Sequence, residues 1–244
     1  MYAETLLEPG AGMEQGAAIW RSHGSPGAVV PADGCVDLIL RGDEVLVAGP
    51  STRWIATLAD GDEGSLGLRL PPGRAAGVLR LDLAEISDDL LPLLDVVRRD
   101  AAEHLRAALL DARTGALAAV GAVAGETRAD DRWTVLARRH AMTGTPAQQV
   151  AGALGLAERT FRRQMLAAFG YGYATLVRIE RTRRAQTLLL EGAALVDAAA
   201  GAGYADQPHL SREFRRMVGA SPGQFAASAA KRSTELPSGS RSVA

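Results

Sequence analysis

The spacing of apolar positions changes once along this chain, just after Pro72. Before that point the apolar positions form short runs: Ala17–Ser22, Ala28–Val30, Cys35–Leu40, Val45–Ala48, Arg53–Leu58 and Leu66–Leu70. Turn signals separate them, among them Ser25-Pro26-Gly27, Asp33-Gly34, Arg41-Gly42-Asp43, Gly49-Pro50, Asp60-Gly61 and Pro71-Pro72-Gly73. Short runs bounded by such residues predict strands, and strands at this spacing predict a small sandwich or open barrel. Cys35–Leu40 and Val45–Val47, joined through Gly42, predict a hairpin. After Pro72 the spacing turns helical. Helices are expected over Ala75–Leu81, Ala84–Leu90 and Pro92–Leu110, the last burying Leu94, Val97 and His104 or Leu105. Leu117–Val123 is small and apolar, Gly125–Asp130 reads as a linker, and Asp131–Met142 opens a second helical region with Trp133, Leu136 and Ala137 inward. Residues 1–16 and the tail from Ser228 are too rich in small and polar residues to promise order.

The most informative stretch is Gly203–Phe225. Asp206 is placed to cap a helix, and Pro208 is tolerated in its first turn. Leu210, Phe214 and Met217 or Val218 share one face, and Gly219 followed by Pro222 ends the helix. The opposite face carries Gln207, His209, Ser211, Arg212, Arg215 and Arg216. Amide, imidazole, hydroxyl and guanidinium groups in that array suit base edges and phosphates. A solvated helix rich in arginine explains the same pattern if this stretch is taken alone. Two observations favour the first reading. Ala194–Gly203 forms a preceding short helix, giving helix, turn, helix. The unit is also repeated: Ala151, Gly155 and Leu156 match Ala199, Gly203 and Tyr204 at an offset of 48. Phe161, Arg163, Met165, Gly170 and Leu176 match Leu210, Arg212, Phe214, Gly219 and Phe225 at an offset of 49. In the first copy, Thr145-Pro146 starts a helix as cap and first-turn proline, with Val150, Ala151 and Leu154 on it, and Glu158–Ala168 is the recognition helix, with Arg159, Arg162 and Arg163 outward. Tyr173–Glu191 joins the copies. An 18-residue helix is roughly 27 Å long, close to the roughly 34 Å between successive major grooves on one face of a duplex.

With these residues in view, positions of about 135–226 resemble the tandem helix-turn-helix domain of the AraC/XylS family of bacterial transcription regulators. The closer match is D-A-A-A-G-A-G-Y-A-D-Q-P-H-L-S-R-E-F-R-R-M-V-G-A-S-P-G-Q-F; V-A-G-A-L-G-L-A-E-R-T-F-R-R-Q-M-L-A-A-F-G is the looser. Ala157 stands where the family usually has Ser or Thr, and Ala198 where it has a large aliphatic residue. P-A-D-G-C-V-D-L, G-P-S-T and G-L-R-L-P-P-G-R-A-A-G-V-L resemble the degenerate cupin-like N-terminal domain of one group of these regulators. The resemblance implies a DNA reader with base contacts near Arg163, Arg212, Gln207 and His209, and phosphate contacts near Ser211 and Arg215 or Arg216. The fold class expected is α+β: a cupin-like sensor or assembly domain over 1–127, an all-α tandem helix-turn-helix domain over 128–230 and a disordered tail over 231–244. Double-stranded DNA is the expected partner. RNA polymerase, a small-molecule effector and a second copy of the chain are further candidates.

Charge sharpens this division. Residues 1–127 hold 10 Lys+Arg and 19 Asp+Glu, a net −9; residues 128–244 hold 17 and 9, a net +8. A basic half beside an acidic half points to a polyanion partner for one half only. Lys231 is the only lysine, so heavy arginine use is a property of the whole chain and the arginine count by itself argues little. Cys35 is the only cysteine, which excludes an intramolecular disulfide. Met-Tyr-Ala-Glu-Thr lacks the form of a signal peptide, no apolar run suits a membrane span, and a cytoplasmic protein is expected. Cys35 between Asp33 and Asp37, with His23 nearby, invites a metal or nucleophile reading. The four histidines, His23, His104, His140 and His209, are too scattered to complete a zinc or cupin metal set, so no metal or cofactor is expected and Cys35 is expected to be a small buried residue. The rival readings are an enzyme domain fused to a DNA-targeting domain, and a helical bundle reused for protein interaction.

Overall fold

The computed structural model describes residues 2–7, 16–57, 59–60, 63–125 and 132–235. The strands are β1 (Tyr2–Leu6), β2 (Ala18–Ser22), β3 (Val29–Val30), β4 (Val36–Arg41), β5 (Glu44–Ala48), β6 (Ile55–Ala56), β7 (Ser65–Leu70) and β8 (Leu90–Pro92). Six of them form one antiparallel sheet in the order β1-β2-β7-β4-β5-β8, while β3 and β6 pair separately as a short ribbon. The strand-rich N-terminal half followed by helices matches the α+β expectation.

Alternation explains the sheet. Val36, Leu38 and Leu40 of β4 and Val45 and Val47 of β5 point into one core. The β4–β5 hairpin turns at Gly42 and Asp43, with Gly42 at φ +53°, a conformation that costs glycine little. On the other face Asp37 sits opposite Arg69 in the β4–β7 register and accepts from its Nε at 3.2 Å and from Trp20 Nε1 at 2.7 Å. Trp20 lies flat across Gly67, where any side chain would enter its ring.

Helices α1 (Ala75–Leu79), α2 (Leu93–Val96), α3 (Arg99–Arg113) and α4 (Ala118–Gly125) follow, with a 3-10 turn at Leu83–Ile86. Here the structure departs from the periodicity. The single helix expected over Pro92–Leu110 is broken at Val97 and Arg98, both extended. Leu93, Leu105 and Leu109 all enter the same core. On one continuous helix Leu93 would lie about 120–160° around the axis from the other two, so the break lets all three face the sheet. Leu94 is exposed instead of buried. Leu90, expected at the end of a helix, starts the edge strand β8. Tyr2–Leu6, expected to lack order, is a strand paired with β2; its residues are all exposed, so backbone pairing forms it without an apolar pattern.

The C-terminal helices are α5 (Arg132–Met142), α6 (Ala147–Ala153), α7 (Glu158–Phe169), α8 (Tyr173–Leu190), α9 (Leu195–Gly201), α10 (Gln207–Val218) and α11 (Pro222–Glu235). Their core is built from Phe161, Met165, Phe169, Leu176, Ile179, Leu210, Phe214 and Met217, and among the described residues the N-terminal half adds buried Ala32 to it. Three local expectations change. On α5, Thr134, Ala137 and Arg138 are buried, while Trp133 and Leu136 are half-buried. Thr145 does not cap α6: its hydroxyl lies 3.2 Å from His140 Nδ1 and 2.9 Å from the Thr143 hydroxyl, and its carbonyl accepts from the Tyr173 hydroxyl. The helix α11 continues to Glu235, past Ser228, and residues 236–244 lie outside the described residues, as does the expected linker from residue 126.

Candidate nucleic-acid interface

The two recognition helices are α7 and α10. Phe161, Met165 and Phe169 on the first, and Leu210, Phe214 and Val218 on the second, are buried at matching repeat positions. Successive residues of a helix are about 100° apart, so a position two beyond a buried anchor points away from the core. Arg163 follows Phe161 by two residues and Arg212 follows Leu210 by two. Both are exposed, as are Arg159, Arg162, Arg215 and Arg216. Among the described residues none of these six arginines forms an ion pair. Gln207, His209 and Ser211 are half-exposed on the first turns of α10.

The helix ends differ. At α10, Asp206 is extended and its Oδ1 accepts from the His209 backbone N–H at 2.6 Å. At α7, Ala157 occupies the equivalent position and supplies no side-chain bond. Both helices close at a left-handed glycine, Gly170 at φ +78° and Gly219 at φ +79°.

Beneath α10 lies a device the sequence reading missed. Tyr204 is buried, its hydroxyl lies 3.1 Å from the Thr182 hydroxyl of α8, and its ring meets the His209 imidazole edge-on at 5.2 Å. The Arg181 guanidinium covers the ring at 5.4 Å. Burial pushes the Tyr204 hydroxyl above its ordinary range, so it stays protonated. The connector helix therefore fixes the orientation of His209. Position 204 repeats Leu156, which signalled an apolar position and nothing about the ring it supports.

The arginines of the connector are already engaged. Arg183 pairs with the buried Glu180 at 3.1 Å, Arg178 donates to the Thr175 hydroxyl at 2.9 Å, and Arg184 donates to the Met142 carbonyl. Burial pushes the nearby Arg138 below its usual range, opposed by Glu180. Of these contacts, Arg184 with Met142 and Arg138 beside Glu180 link α8 to α5. Cys35 is buried, its thiol pushed well up by burial and by Asp33, which disfavours the thiolate a nucleophile or metal ligand requires. Among the described residues no group of three His, Cys, Asp or Glu side chains is arranged to hold a metal, and no helix is long and apolar enough to cross a membrane.

Comparison with known proteins bears on these helices. Residues 137–228 match the family model described as a helix-turn-helix domain. No curated protein sequence matches the chain. Among solved structures, the C-terminal domain of AraT, a response regulator from Geobacillus stearothermophilus, is 22% identical with a TM-score of 0.37, covering 40% of this chain and 85% of that one. The xylose-binding transcription activator XylR is 16% identical with a TM-score of 0.37, covering 42% of this chain and 29% of that one. ToxT from Vibrio cholerae is 11% identical with a TM-score of 0.43, covering 93% and 97%. Residues 137–228, with their two repeated units, therefore form a helix-turn-helix domain of the AraC type.

Proposed function

We propose that the protein reads one asymmetric duplex site with two unlike heads, α7 and α10, each entering one of two successive major grooves. The observation that carries this is the matching rotation of Arg163 and Arg212: repeat-equivalent, exposed, and directed away from buried anchors. Arginine in that position bonds guanine O6 and N7 in bidentate fashion, and Gln207 suits adenine N6 and N7. Arg159 and Arg162 flank Arg163 on the first head. His209, held by Tyr204, is a base-edge donor or acceptor on the second. Ser211, Arg215 and Arg216 serve phosphates, which fix register without reading sequence. Residues 128–230 act as the reader in the cytoplasm, and residues 1–127 as a sensor or assembly domain. RNA polymerase, a small-molecule effector and a second copy of the chain are the further partners of this reading.

Selection of duplexes from a random pool by the intact protein, followed by footprinting, is the test. A bipartite consensus with protection over two successive grooves per protomer is expected. Contact with one groove alone would overturn the two-headed reading. An enzyme reading has less support: Cys35, the residue that most invited it, is buried and held as the thiol.

A further inference from the structure

The N-terminal half touches the two recognition helices at the same place on each, but not in the same way. The contact points are the repeat-equivalent glycines that close α7 and α10. At Gly170 a side chain would strike Pro50 and the Leu83 carbonyl. At Gly219 it would strike Val29 Cγ1 at 2.9 Å and the Trp54 ring at 3.1 Å. Each glycine therefore does two things: its positive φ ends a helix, and its bare Cα admits a segment of the N-terminal half.

The grip on α7 is core-like. Phe169, at the helix end, is 0% exposed, and Leu83 and Ile86 of the facing 3-10 turn are each 1% exposed. Phe169 also presses on Gly73, where a Cβ would lie 2.8 Å from its ring. Between the heads, Gly34 packs on Tyr171 and Ile179 at the start and middle of α8, and Tyr171 donates to the Gly34 carbonyl at 3.4 Å.

The grip on α10 is thin. It comes from the β3–β6 ribbon, with two residues in each strand. Ala32 N–H donates to the Met217 carbonyl at 2.7 Å, and Trp54 N–H to the Arg216 carbonyl at 3.5 Å. These carbonyls lie in the last turn of α10, where helix acceptors have no partner of their own. Trp54 is 41% exposed and Val29 is 53% exposed, so Ala32, buried against the C-terminal core, is the ribbon's main apolar commitment there. The ribbon is tethered to the sheet at Asp60, which accepts from the Ser22 hydroxyl at 2.5 Å, the Ser65 hydroxyl at 2.9 Å and the Ser25 N–H at 3.1 Å. Meanwhile Arg212, Arg215 and Arg216 stay exposed, so the ribbon holds the helix by its end without covering its reading face.

We propose that the ribbon of residues 28–32 and 53–57 is a latch: the N-terminal half is fixed to the first reading head and to α8, and the ribbon sets the position of the second head relative to it. This rests on the reading of α7 and α10 as the two heads. Latched, the heads keep one spacing and one relative rotation. Released, the second head moves on the flexibility of α8, and the protein tolerates sites of other spacing.

The test uses the full chain, spin-labelled through Glu158→Cys and Arg212→Cys, with Cys35 left in place because it is buried. Distances between labels are measured by pulsed dipolar spectroscopy in the parent, in Val29→Ala/Trp54→Ala, and in Trp54→Phe, which keeps a ring on Gly219. One narrow distance is expected in the parent and in Trp54→Phe, and a broad distribution in the double variant. Both truncations fall on half-exposed residues, outside both apolar cores. The same narrow distance in all three would overturn the proposal, since α8 alone would then fix the heads; a broad parent distribution would overturn it equally. In unlabelled proteins, one base pair inserted between the half-sites displaces one half-site by about 3.4 Å and about 34–36°. The parent is expected to lose about tenfold in affinity, or about 1.4 kcal/mol, and the double variant markedly less; equal losses would count against the latch. Failure to recover any DNA consensus would refute the two-head reading, while the label distances would still decide whether the ribbon holds α10.

Discussion

Repeat-equivalent positions with opposite capping allow one prediction to be worked closely. Asp206 and Ala157 both precede a recognition helix in extended backbone, at φ −159°, ψ 170° and φ −67°, ψ 145°. Only Asp206 bonds its helix, at 2.6 Å to the N–H three residues on. Replacing such a cap with alanine costs about 1 kcal/mol, within about 0.5–2 kcal/mol. A carboxylate at a helix N-terminus adds about 0.3–1 kcal/mol through the macrodipole. Asp206→Ala should therefore destabilise by about 1–2 kcal/mol on these figures. Ala157→Ser should stabilise by about 0.5–1 kcal/mol, because its hydroxyl gains the Thr160 N–H that has no such partner now. For a chain of this size about 1 kcal/mol corresponds to roughly 2–4 °C in melting temperature. Thermal melts supported by urea unfolding with an unchanged m-value would read both shifts. Gln207 and His209 occupy the first turn that Asp206 holds, so Asp206→Ala should also lower affinity for the selected site more than for random duplex. No destabilisation in Asp206→Ala, or a loss of stability in Ala157→Ser, would show that tertiary packing holds these helix ends and would refute the capping argument.

Arg212→Ala should relax base preference at one position and cost about 1–3 kcal/mol on the selected site, whereas Arg215→Ala should weaken all duplexes alike and reduce the salt slope by about one unit; binding isotherms on cognate and random DNA across a salt series separate the two, and equal loss of specificity in both would sink the assignment. The fragment 128–244, with net +8, should bind random duplex more tightly at low salt than the intact chain, whose residues 1–127 carry −9; fluorescence anisotropy should show the difference shrink as salt rises, since screening acts beyond about 8–10 Å near physiological ionic strength. Because burial raises the Cys35 thiol, folding suppresses its thiolate, and raising the pH to near 8.5, the ordinary thiol value, should leave native Cys35 unalkylated while denatured protein reacts at once; mass spectrometry after a brief iodoacetamide pulse checks this, and prompt native labelling would contradict the burial.

The reading heads are legible in the sequence because their physics is local. An apolar stripe at helical spacing and a closing glycine lie within about four helical turns, and the 48- and 49-residue offsets show both twice, with a side-chain cap on the second copy alone. The β4–β5 hairpin is legible for the same reason, since alternation and a glycine turn specify it. Other features depend on neighbours distant in the chain. The break at Val97 arises because Leu93 and Leu109 must both reach one sheet face. The strand Tyr2–Leu6 forms by backbone pairing, which leaves no apolar trace. Arg138 and Glu180 carry no local sign of burial in the sequence, and the packing of α5 on α8 buries them. Tyr204 acquires its role only when Thr182 and His209, 22 residues before it and five after, meet around its ring. Gly170 and Gly219 show the division most directly. Their positive φ is a local property that sequence identifies as a helix stop. That each stop also receives a segment of the N-terminal half, one through a buried core and one through a half-exposed ribbon, follows from contacts across more than 80 residues of chain, which no local pattern encodes.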